Sequence, residues 1–183
     1  MKILVISDLH GSTTRVKQLL QAVQREQPDR IITLGDLIYK GVMTDIAPDY
    51  CDRECVAMLN TLADRISGVR GNCDAEVHQE FLHFPMLADY LLISDGGRTI
   101  FATHGHLYNE EHLPALKPGD VLLQGHIHLT TWHQKDGVRI FNPGSPTLPK
   151  QGTRRGYMII EDGRTFRWKD IETGEEFHTE VLG

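Results

Sequence analysis

Short apolar runs alternate with amphipathic stretches in the first part of the chain. Residues 3–6 form a continuous apolar run, which predicts a strand buried on both faces. A second apolar run follows at 31–34, and between the two runs apolar residues recur over 16–23 with helical spacing. That helix must end before Pro28. A strand, a helix and a strand in this order favour parallel pairing of the two strands.

A second helix is predicted after an aperiodic segment at 38–50. Apolar side chains from Cys55 to Ile66 share one side of this helix, and Gly68 ends it. The segment 38–50 contains glycine and proline, which indicate a loop. This loop either borders the functional site or is a plain surface excursion.

From residue 90 onward, short strand patterns alternate with two-residue turn signals. Gly96-Gly97, Asp136-Gly137 and Asp162-Gly163 each separate two strand-like runs and predict three hairpins. A last strand is predicted over 177–181. The sequence thus predicts an α/β first half and a mainly antiparallel second half, with two sheets packed face to face and helices outside.

Composition and charge narrow the class of protein. The 183 residues fit a single domain, 1–183, and the hydrophobic content of 40% is typical of a globular protein. The net charge of -6 disfavours broad binding to nucleic acid or to anionic membranes. It is compatible with a small phosphorylated substrate, because bound metals can reverse the local charge.

Two further features indicate where the protein works. No apolar run is long enough for a signal peptide or a membrane span. The three cysteines are too few for a disulfide framework. We therefore expect a protein of the reducing cytoplasm.

The first candidate for metal chemistry is the pair His126 and His128. They follow a predicted strand at 121–123, and on an extended segment residues two apart share a face. Two imidazoles would then point in one direction, as metal ligands do. In isolation, such a pattern is more often an ordinary pair of surface histidines than a pair of metal ligands.

Other metal-type side chains also stand directly after predicted strands: Asp8, His10, Asp36, Asn72 and His104. Residues beyond the carboxyl ends of strands converge on one crevice of a sheet. Each of them alone could be a helix cap, a turn residue or a packed histidine. Together, seven donors from five strand ends favour a site for two metal ions that share one carboxylate.

Five short motifs in chain order resemble those of the calcineurin-like metallophosphoesterases. They are Asp8-x-His10, Gly35-Asp36, Gly71-Asn72, His104 and Gly125-His126-x-His128. Finer details are similar to small bacterial phosphodiesterases of the YfcE type: Gly71-Asn72-Cys73-Asp74, Thr103-His104-Gly105-His106 and Asn142-Pro143-Gly144-Ser145. The resemblance implies a four-layer α/β/β/α sandwich of two mixed sheets and a dinuclear site, commonly loaded with Mn²⁺.

The same resemblance assigns ligands to the two ions. One ion would be held by Asp8, His10, Asp36 and His128. The other would be held by Asp36, Asn72, His104 and His126, with Asp36 as the bridge. Carboxylate, amide and imidazole donors suit Mn²⁺, and also Fe, Zn²⁺ or Ni²⁺. Two ions about 3.5–4 Å apart can share a hydroxide and clamp a phosphoryl group.

The predicted activity is hydrolysis of small phosphate diesters, with Asp36, Asn72, Cys73 and His106 as the catalytic group. Cys73 departs from the family pattern, since many relatives carry a histidine there that protonates the leaving alkoxide. A thiol is a poorer acid near neutral pH. We therefore expect a preference for good leaving groups, or a proton supplied by His106 or a metal-bound water.

Three alternatives share these sequence features. The same metal centre could serve a phosphomonoesterase or a nuclease, and the acidic composition disfavours the nuclease. The third is a protein-binding scaffold resembling the retromer subunit of this fold. That scaffold lacks several metal-binding histidines, whereas His10, His104, His126 and His128 are all present here. The late antiparallel strands could also supply an edge for a homo-oligomer.

Overall fold

Eleven strands, two α-helices and one 3-10 helix make up the part of the chain that the computed structural model describes, residues 1–39 and 46–183. In chain order they are β1 (Lys2–Ile6), α1 (Thr13–Glu26), β2 (Arg30–Thr33), α2 (Asp52–Asn60), β3 (Ile66–Gly68), the 3-10 helix (Glu76–Glu80), β4 (Tyr90–Asp95), β5 (Arg98–Thr103), β6 (Val121–Leu123), β7 (Thr130–Lys135), β8 (Val138–Pro143), β9 (Gly156–Glu161), β10 (Thr165–Asp170) and β11 (Glu176–Val181).

The first sheet joins both ends of the chain. Its strand order is β11-β10-β9-β1-β2-β3. The strands β1, β2 and β3 pair in parallel, which confirms the parallel pairing predicted for the first two. The strand β9 pairs antiparallel with β1 and with β10, and β11 completes an antiparallel edge. The hairpin predicted at Asp162-Gly163 therefore extends the first sheet.

The second sheet has the order β4-β5-β6-β8-β7. The hairpins β4–β5 and β7–β8 lie at its two edges, as predicted. The prediction of a mainly antiparallel second half was wrong for the middle of this sheet. There β6 pairs in parallel with both β5 and β8. The connections 104–120 and 124–137 each bring the chain back to the end of the sheet at which the earlier strand began, so the next strand runs in the same direction.

The second predicted helix was too long. The helix α2 ends at Asn60, and Ile66 begins the strand β3, which pairs with β2. Apolar residues at Cys55, Leu59, Leu62 and Ile66 continue a helical period across this boundary, so their spacing alone does not reveal it. Pairing with the exposed edge of β2 decides the conformation of Ile66.

Three apolar cores hold the layers together. The strand β1 turns Leu4 and Ile6 towards the two helices, and Ile3 and Val5 towards the second sheet. On the far side of the second sheet, Phe101 and its neighbours pack against loop residues from 105–118, a segment without a helix. Two mixed sheets with a few helices confirm the predicted α/β class. In the described part of the chain both α-helices pack on the first sheet, and loop residues cover the outer face of the second.

Part of the predicted loop 38–50 lies outside the described residues, since residues 40–45 are not described. None of the helices in the described part combines enough length with enough apolar character to cross a bilayer.

Candidate metal centre

The seven predicted ligands lie at the carboxyl ends of parallel strands. Asp8 and His10 follow β1, Asp36 follows β2 and Asn72 follows β3. In the second sheet, His104 follows β5, and His126 and His128 follow β6. The two sheets face each other, so both sets of strand ends open onto the same crevice.

Five of these residues have a left-handed backbone. The φ angles are 55° for Asp8, 45° for His10, 53° for Asp36, 69° for His126 and 61° for His128. Such angles are rare outside glycine and raise the conformational energy. They persist because the loops brace one another: the N–H of Asp8 donates to Gly35 O at 3.0 Å, and the N–H of His10 donates to Asp36 O at 2.9 Å.

The first predicted ligand set is closely grouped. The Nε2 atoms of His10 and His128 are 3.2 Å apart. Asp8 Oδ1 lies 3.3 Å from His128 Nε2 and 3.8 Å from His10 Nε2. Asp36 Oδ2 lies 3.8 Å from His10 Nε2. Asp8, His10, Asp36 and His128 therefore surround one small volume.

The second predicted set meets at His104. Its Nε2 lies 3.0 Å from Asn72 Oδ1, 3.2 Å from His126 Nδ1 and 3.5 Å from Asp36 Oδ2. Asp36 Oδ2 thus faces donors of both sets. The structure brings together the two groups of residues that the sequence assigned to two ions.

Backbone carbonyls fix the orientation of three of the imidazoles. Each Nδ1 donates a hydrogen bond outward: His10 to Tyr39 O at 3.1 Å, His104 to Leu34 O at 2.6 Å and His128 to Leu148 O at 2.9 Å. Each Nε2 atom therefore points into the crevice. Metal-ligating histidines are commonly held by this kind of outer hydrogen bond.

The donors of the crevice fit divalent metal ions. Facing imidazole nitrogens at 3.2 Å need a proton or a cation between their lone pairs. Asp8 Oδ1 is fully buried, and in the described part of the chain it has no well-formed hydrogen bond, although His128 Nε2 lies 3.3 Å away. A bound cation would satisfy both conditions, and the mixture of oxygen and nitrogen donors suits Mn²⁺, Fe or Zn²⁺.

The charges of the crevice favour ionised carboxylates. Burial raises the pKa of Asp36, but the hydrogen bond and positive charge of His104 outweigh it and leave the pKa well below the usual value. The pKa of Asp8 is lowered in the same way, with His128 as the main partner opposing burial. The pKa of His104 is shifted in the opposite direction. Burial lowers it, but contact with Asp36 outweighs burial and raises it to about 9.

Cys73 and His106, the two other predicted catalytic residues, border the crevice. The N–H of Cys73 donates to Asp36 Oδ1 at 2.8 Å, and its Sγ accepts a hydrogen bond from Asn72 Nδ2 at 3.3 Å. Burial and the charge of Asp36 raise the pKa of the Cys73 thiol to about 12. The ring of His106 is 5.3 Å from that of His104, and its buried Nδ1 has no hydrogen-bond partner within residues 1–39 and 46–183.

Asp74 is a positioning residue to which the sequence assigned no role. Its carboxylate accepts hydrogen bonds from the N–H groups of Asp36 at 2.7 Å, Gly71 at 2.9 Å and Leu37 at 3.2 Å. These bonds tie the loop after β2 to the loop after β3. The only sequence signal was its place in the motif Gly71-Asn72-Cys73-Asp74.

The motif Asn142–Ser145 braces the loops after β1 and β6. Ser145 Oγ donates to Asp8 O at 2.8 Å, and Asn142 Nδ2 donates to Gly125 O at 2.8 Å. Both side chains are fully buried. This motif therefore supports the crevice from behind.

Two glycines allow the loops to approach each other. A Cβ atom on Gly71 would collide with the Asp36 carboxylate and backbone, and one on Gly125 would collide with Ser7 Oγ and approach Asp8 Oδ2. Any larger residue would displace a carboxylate of the crevice.

Comparisons with known proteins agree with this geometry. Residues 1–163 match the family model described as the calcineurin-like phosphoesterase superfamily domain. Phosphodiesterase YfcE of Escherichia coli K12 is 36% identical over 162 residues, which cover 88% of this chain and 88% of YfcE. The solved structure of Yfce, a phosphoesterase from E. coli, superposes with a TM-score of 0.95 at 32% identity and covers 100% of both chains.

A more distant structure has the same fold. Wild-type Vps29 from Entamoeba histolytica, solved in complex with Zn²⁺, matches with a TM-score of 0.65 at 20% identity and covers 100% of both chains. At this identity the likeness shows the fold alone. The family match over most of the sequence and the similarity to YfcE carry the assignment: the chain belongs to the calcineurin-like phosphoesterase superfamily.

Proposed function

We propose that the protein is a phosphodiesterase that holds two divalent metal ions, with Mn²⁺ favoured, and hydrolyses small phosphate diesters. The observation that carries this proposal is the position of Asp36 Oδ2. It lies 3.8 Å from His10 Nε2 in one donor set and 3.5 Å from His104 Nε2 in the other. A carboxylate between two groups of nitrogen and oxygen donors is suited to bridging two ions.

We assign the residues of the crevice to two metal ions. Asp8, His10, Asp36 and His128 would hold one ion, and Asp36, Asn72, His104 and His126 the other. Divalent ions in such sites supply a strong water-derived nucleophile at neutral pH and stabilise the charge on the phosphoryl oxygens. Contact with His104 lowers the pKa of Asp36, so this carboxylate is ionised before any metal binds. His104 would lose its proton on binding a metal ion, whose positive charge would then replace that of the proton beside Asp36.

Protonation of the leaving group is the step in which this chain differs from the histidine-containing relatives. The Cys73 thiol, with its pKa raised to about 12 by burial and by Asp36, is a weak acid for this step. The ring of His106 is 5.3 Å from that of His104, and its Nδ1 has no hydrogen-bond partner among the described residues. We assign it to contact with the phosphate or the leaving group. Esters with good leaving groups are the expected substrates.

Hydrolysis of bis-p-nitrophenyl phosphate tests the proposal. Protein stripped of metal by a chelator should be inactive, and added Mn²⁺ should restore activity. Asp36→Asn should abolish that activity, because the variant loses the charge of the bridging carboxylate. Asp64→Asn is the matched control, since Asp64 is exposed and remote from the crevice. A parallel assay with p-nitrophenyl phosphate separates a diesterase from a monoesterase.

One alternative draws support from the fold. The likeness to Vps29 keeps a protein-binding scaffold as the second candidate. The 36% identity to phosphodiesterase YfcE argues against it, whereas metal ligands alone do not, since this Vps29 was solved with Zn²⁺. Folded protein without activity in Mn²⁺, Fe²⁺, Zn²⁺ or Ni²⁺ would favour the scaffold over the enzyme.

Further parts of the proposal concern the whole chain. We place residues 1–183 in a single domain, because the last three strands return to the first sheet. Cys51, Cys55 and Cys73 are free thiols, as expected in the cytoplasm, where we place the protein. Size-exclusion chromatography with light scattering would test whether it forms a homo-oligomer.

A further inference from the structure

A cavity of about 440 Å³ opens beside the metal centre. Its walls come from two parts of the chain, the segment after β2 with α2, and the region of the 3-10 helix. The apolar and aromatic side chains that line it are Ile38, Tyr39, Tyr50, Val56, Val77 and Phe81. This volume exceeds the needs of a phosphoryl group and lies within the range of about 300–1,000 Å³ found for small-molecule pockets.

One wall of the cavity is joined to the ligands of the crevice. Tyr39 follows Asp36 by three residues, and its carbonyl accepts the hydrogen bond of His10 Nδ1 at 3.1 Å. The ring of Tyr50 lies against Gly11, since a Cβ atom on Gly11 would stand 2.5 Å from a ring carbon. The backbone of Tyr39 and the ring of Tyr50 are therefore held close to His10.

The opposite wall is joined to the second donor set. His78 lines the cavity, and its Nδ1 lies 3.9 Å from Oδ1 of Asp74. Asp74 in turn accepts the hydrogen bond of the Asp36 N–H at 2.7 Å. The rings of Tyr39 and His78 are neighbours in the lining, with their centroids 6.5 Å apart and their planes tilted by 45°. The cavity is thus built between the two loops that carry Asp36 and Asn72.

Several large apolar side chains in the walls of the cavity are exposed to solvent. Phe81 is 57% exposed, Val77 is 50% exposed and Tyr39 is 38% exposed. Large apolar side chains grouped around a concavity mark a site that another group covers. Charged side chains, Asp52 and Arg53, are also among the lining residues, and both are exposed.

We propose that this cavity binds a planar aromatic ring esterified to the phosphate that the metal centre hydrolyses. The proposal rests on the proposed phosphodiesterase function and names the substrate class. The faces of Tyr39, Tyr50 and Phe81 offer stacking surfaces for a ring, which an alkyl chain would use poorly.

Equilibrium binding to the Mn²⁺-loaded protein tests the cavity without any need for turnover. Phenylphosphonate and methylphosphonate carry the same acidic group and differ in the ring. The parent protein should bind phenylphosphonate about tenfold more tightly. Phe81→Ala and Tyr39→Ala should each reduce this preference severalfold; Tyr39→Ala keeps the backbone carbonyl that holds His10. Leu92→Ala is the matched control, since Leu92 is 60% exposed on β4 and does not line the cavity.

The outcomes separate the cavity from the proposed function. Any of three results would overturn the aromatic site. They are equal affinities for the two phosphonates, no binding of either, and a preference that both variants retain in full. Metal-dependent hydrolysis of methyl p-nitrophenyl phosphate by the parent protein tests the phosphodiesterase function separately. Activity without a preference for phenylphosphonate would overturn the aromatic site alone, and no activity in any of the metals would overturn the proposed function. A circular dichroism spectrum of each variant confirms that it is folded.

Discussion

Replacing Gly71 by alanine should damage the metal centre through a single added methyl group. The new Cβ atom would stand 2.8 Å from Asp36 Cγ, whereas ordinary contacts begin at 3.4 Å, so the carboxylate must withdraw by at least 0.6 Å. The Asp36 backbone N also stands in the way, so a side-chain rotation alone does not relieve the collision. Functional side chains need to keep their positions to within about 0.5 Å.

The expected consequences follow from that displacement. Mn²⁺ affinity should fall about 10–100-fold, as is typical when the support of a metal ligand is lost. Hydrolysis of bis-p-nitrophenyl phosphate, measured as kcat/KM, should fall about 100-fold. The metal-free protein should lose about 1–3 kcal/mol in its free energy of unfolding, because the added methyl group overpacks the contact between two loops.

Competition with a chelating dye measures the Mn²⁺ affinity, and urea unfolding in a chelator measures the stability. Gly97→Ala is the matched control. Gly97 has a φ of 79° but nothing within 4 Å of an added Cβ, so alanine there should cost about 1–2 kcal/mol from the backbone alone and leave Mn²⁺ binding unchanged. If Gly71→Ala bound Mn²⁺ as tightly as the parent, the idea that Gly71 sets the position of Asp36 would be refuted.

Two further predictions concern residues with shifted pKa values. Burial raises the pKa of Glu26, but hydrogen bonds from Lys169 and Tyr157 lower it from 4.5 to about 2. Its stabilising effect is therefore complete above about pH 5 and lost as the pH falls towards 2. Glu26→Gln should lower the free energy of unfolding by about 1–2 kcal/mol at pH 7, after allowance for solvent screening, and by less at pH 3. Urea unfolding at the two pH values measures this difference. An equal decrease in the free energy of unfolding at pH 7 and pH 3 would contradict the prediction. Cys73→His should raise the ratio of alkyl-ester to p-nitrophenyl-ester hydrolysis about 100-fold, because imidazole can protonate a poor leaving group. An unchanged ratio would show that Cys73 does not limit that step.

Local sequence patterns were enough for most of the secondary structure. The apolar runs at β1 and β2 and the helical spacing of α1 correspond to elements of the structure, and so do the three hairpins. These features depend on neighbours a few residues away, so their patterns are visible in the chain itself. The end of α2 was misplaced because the partner of Ile66 is Ile31, far away in the sequence.

In the candidate site, too, local motifs were informative, whereas contacts between distant residues were not predictable. The sequence alone placed metal-type side chains after strands, and their motifs indicated which residues belong together. It could not show that Asp74 ties two loops together, or that Ser145 holds the backbone of Asp8, because serine and aspartate are common in any turn.

The tertiary structure also decided the surroundings of the metal centre. The cavity between Tyr39 and Phe81 joins residues that are far apart in the chain and whose exposed apolar side chains have no periodic pattern. Side-chain chemistry and short-range spacing are properties of the sequence. Distances between strand ends, the direction of each imidazole and the shape of a cavity depend on how two sheets pack, because long-range contacts fix these features only in the folded chain.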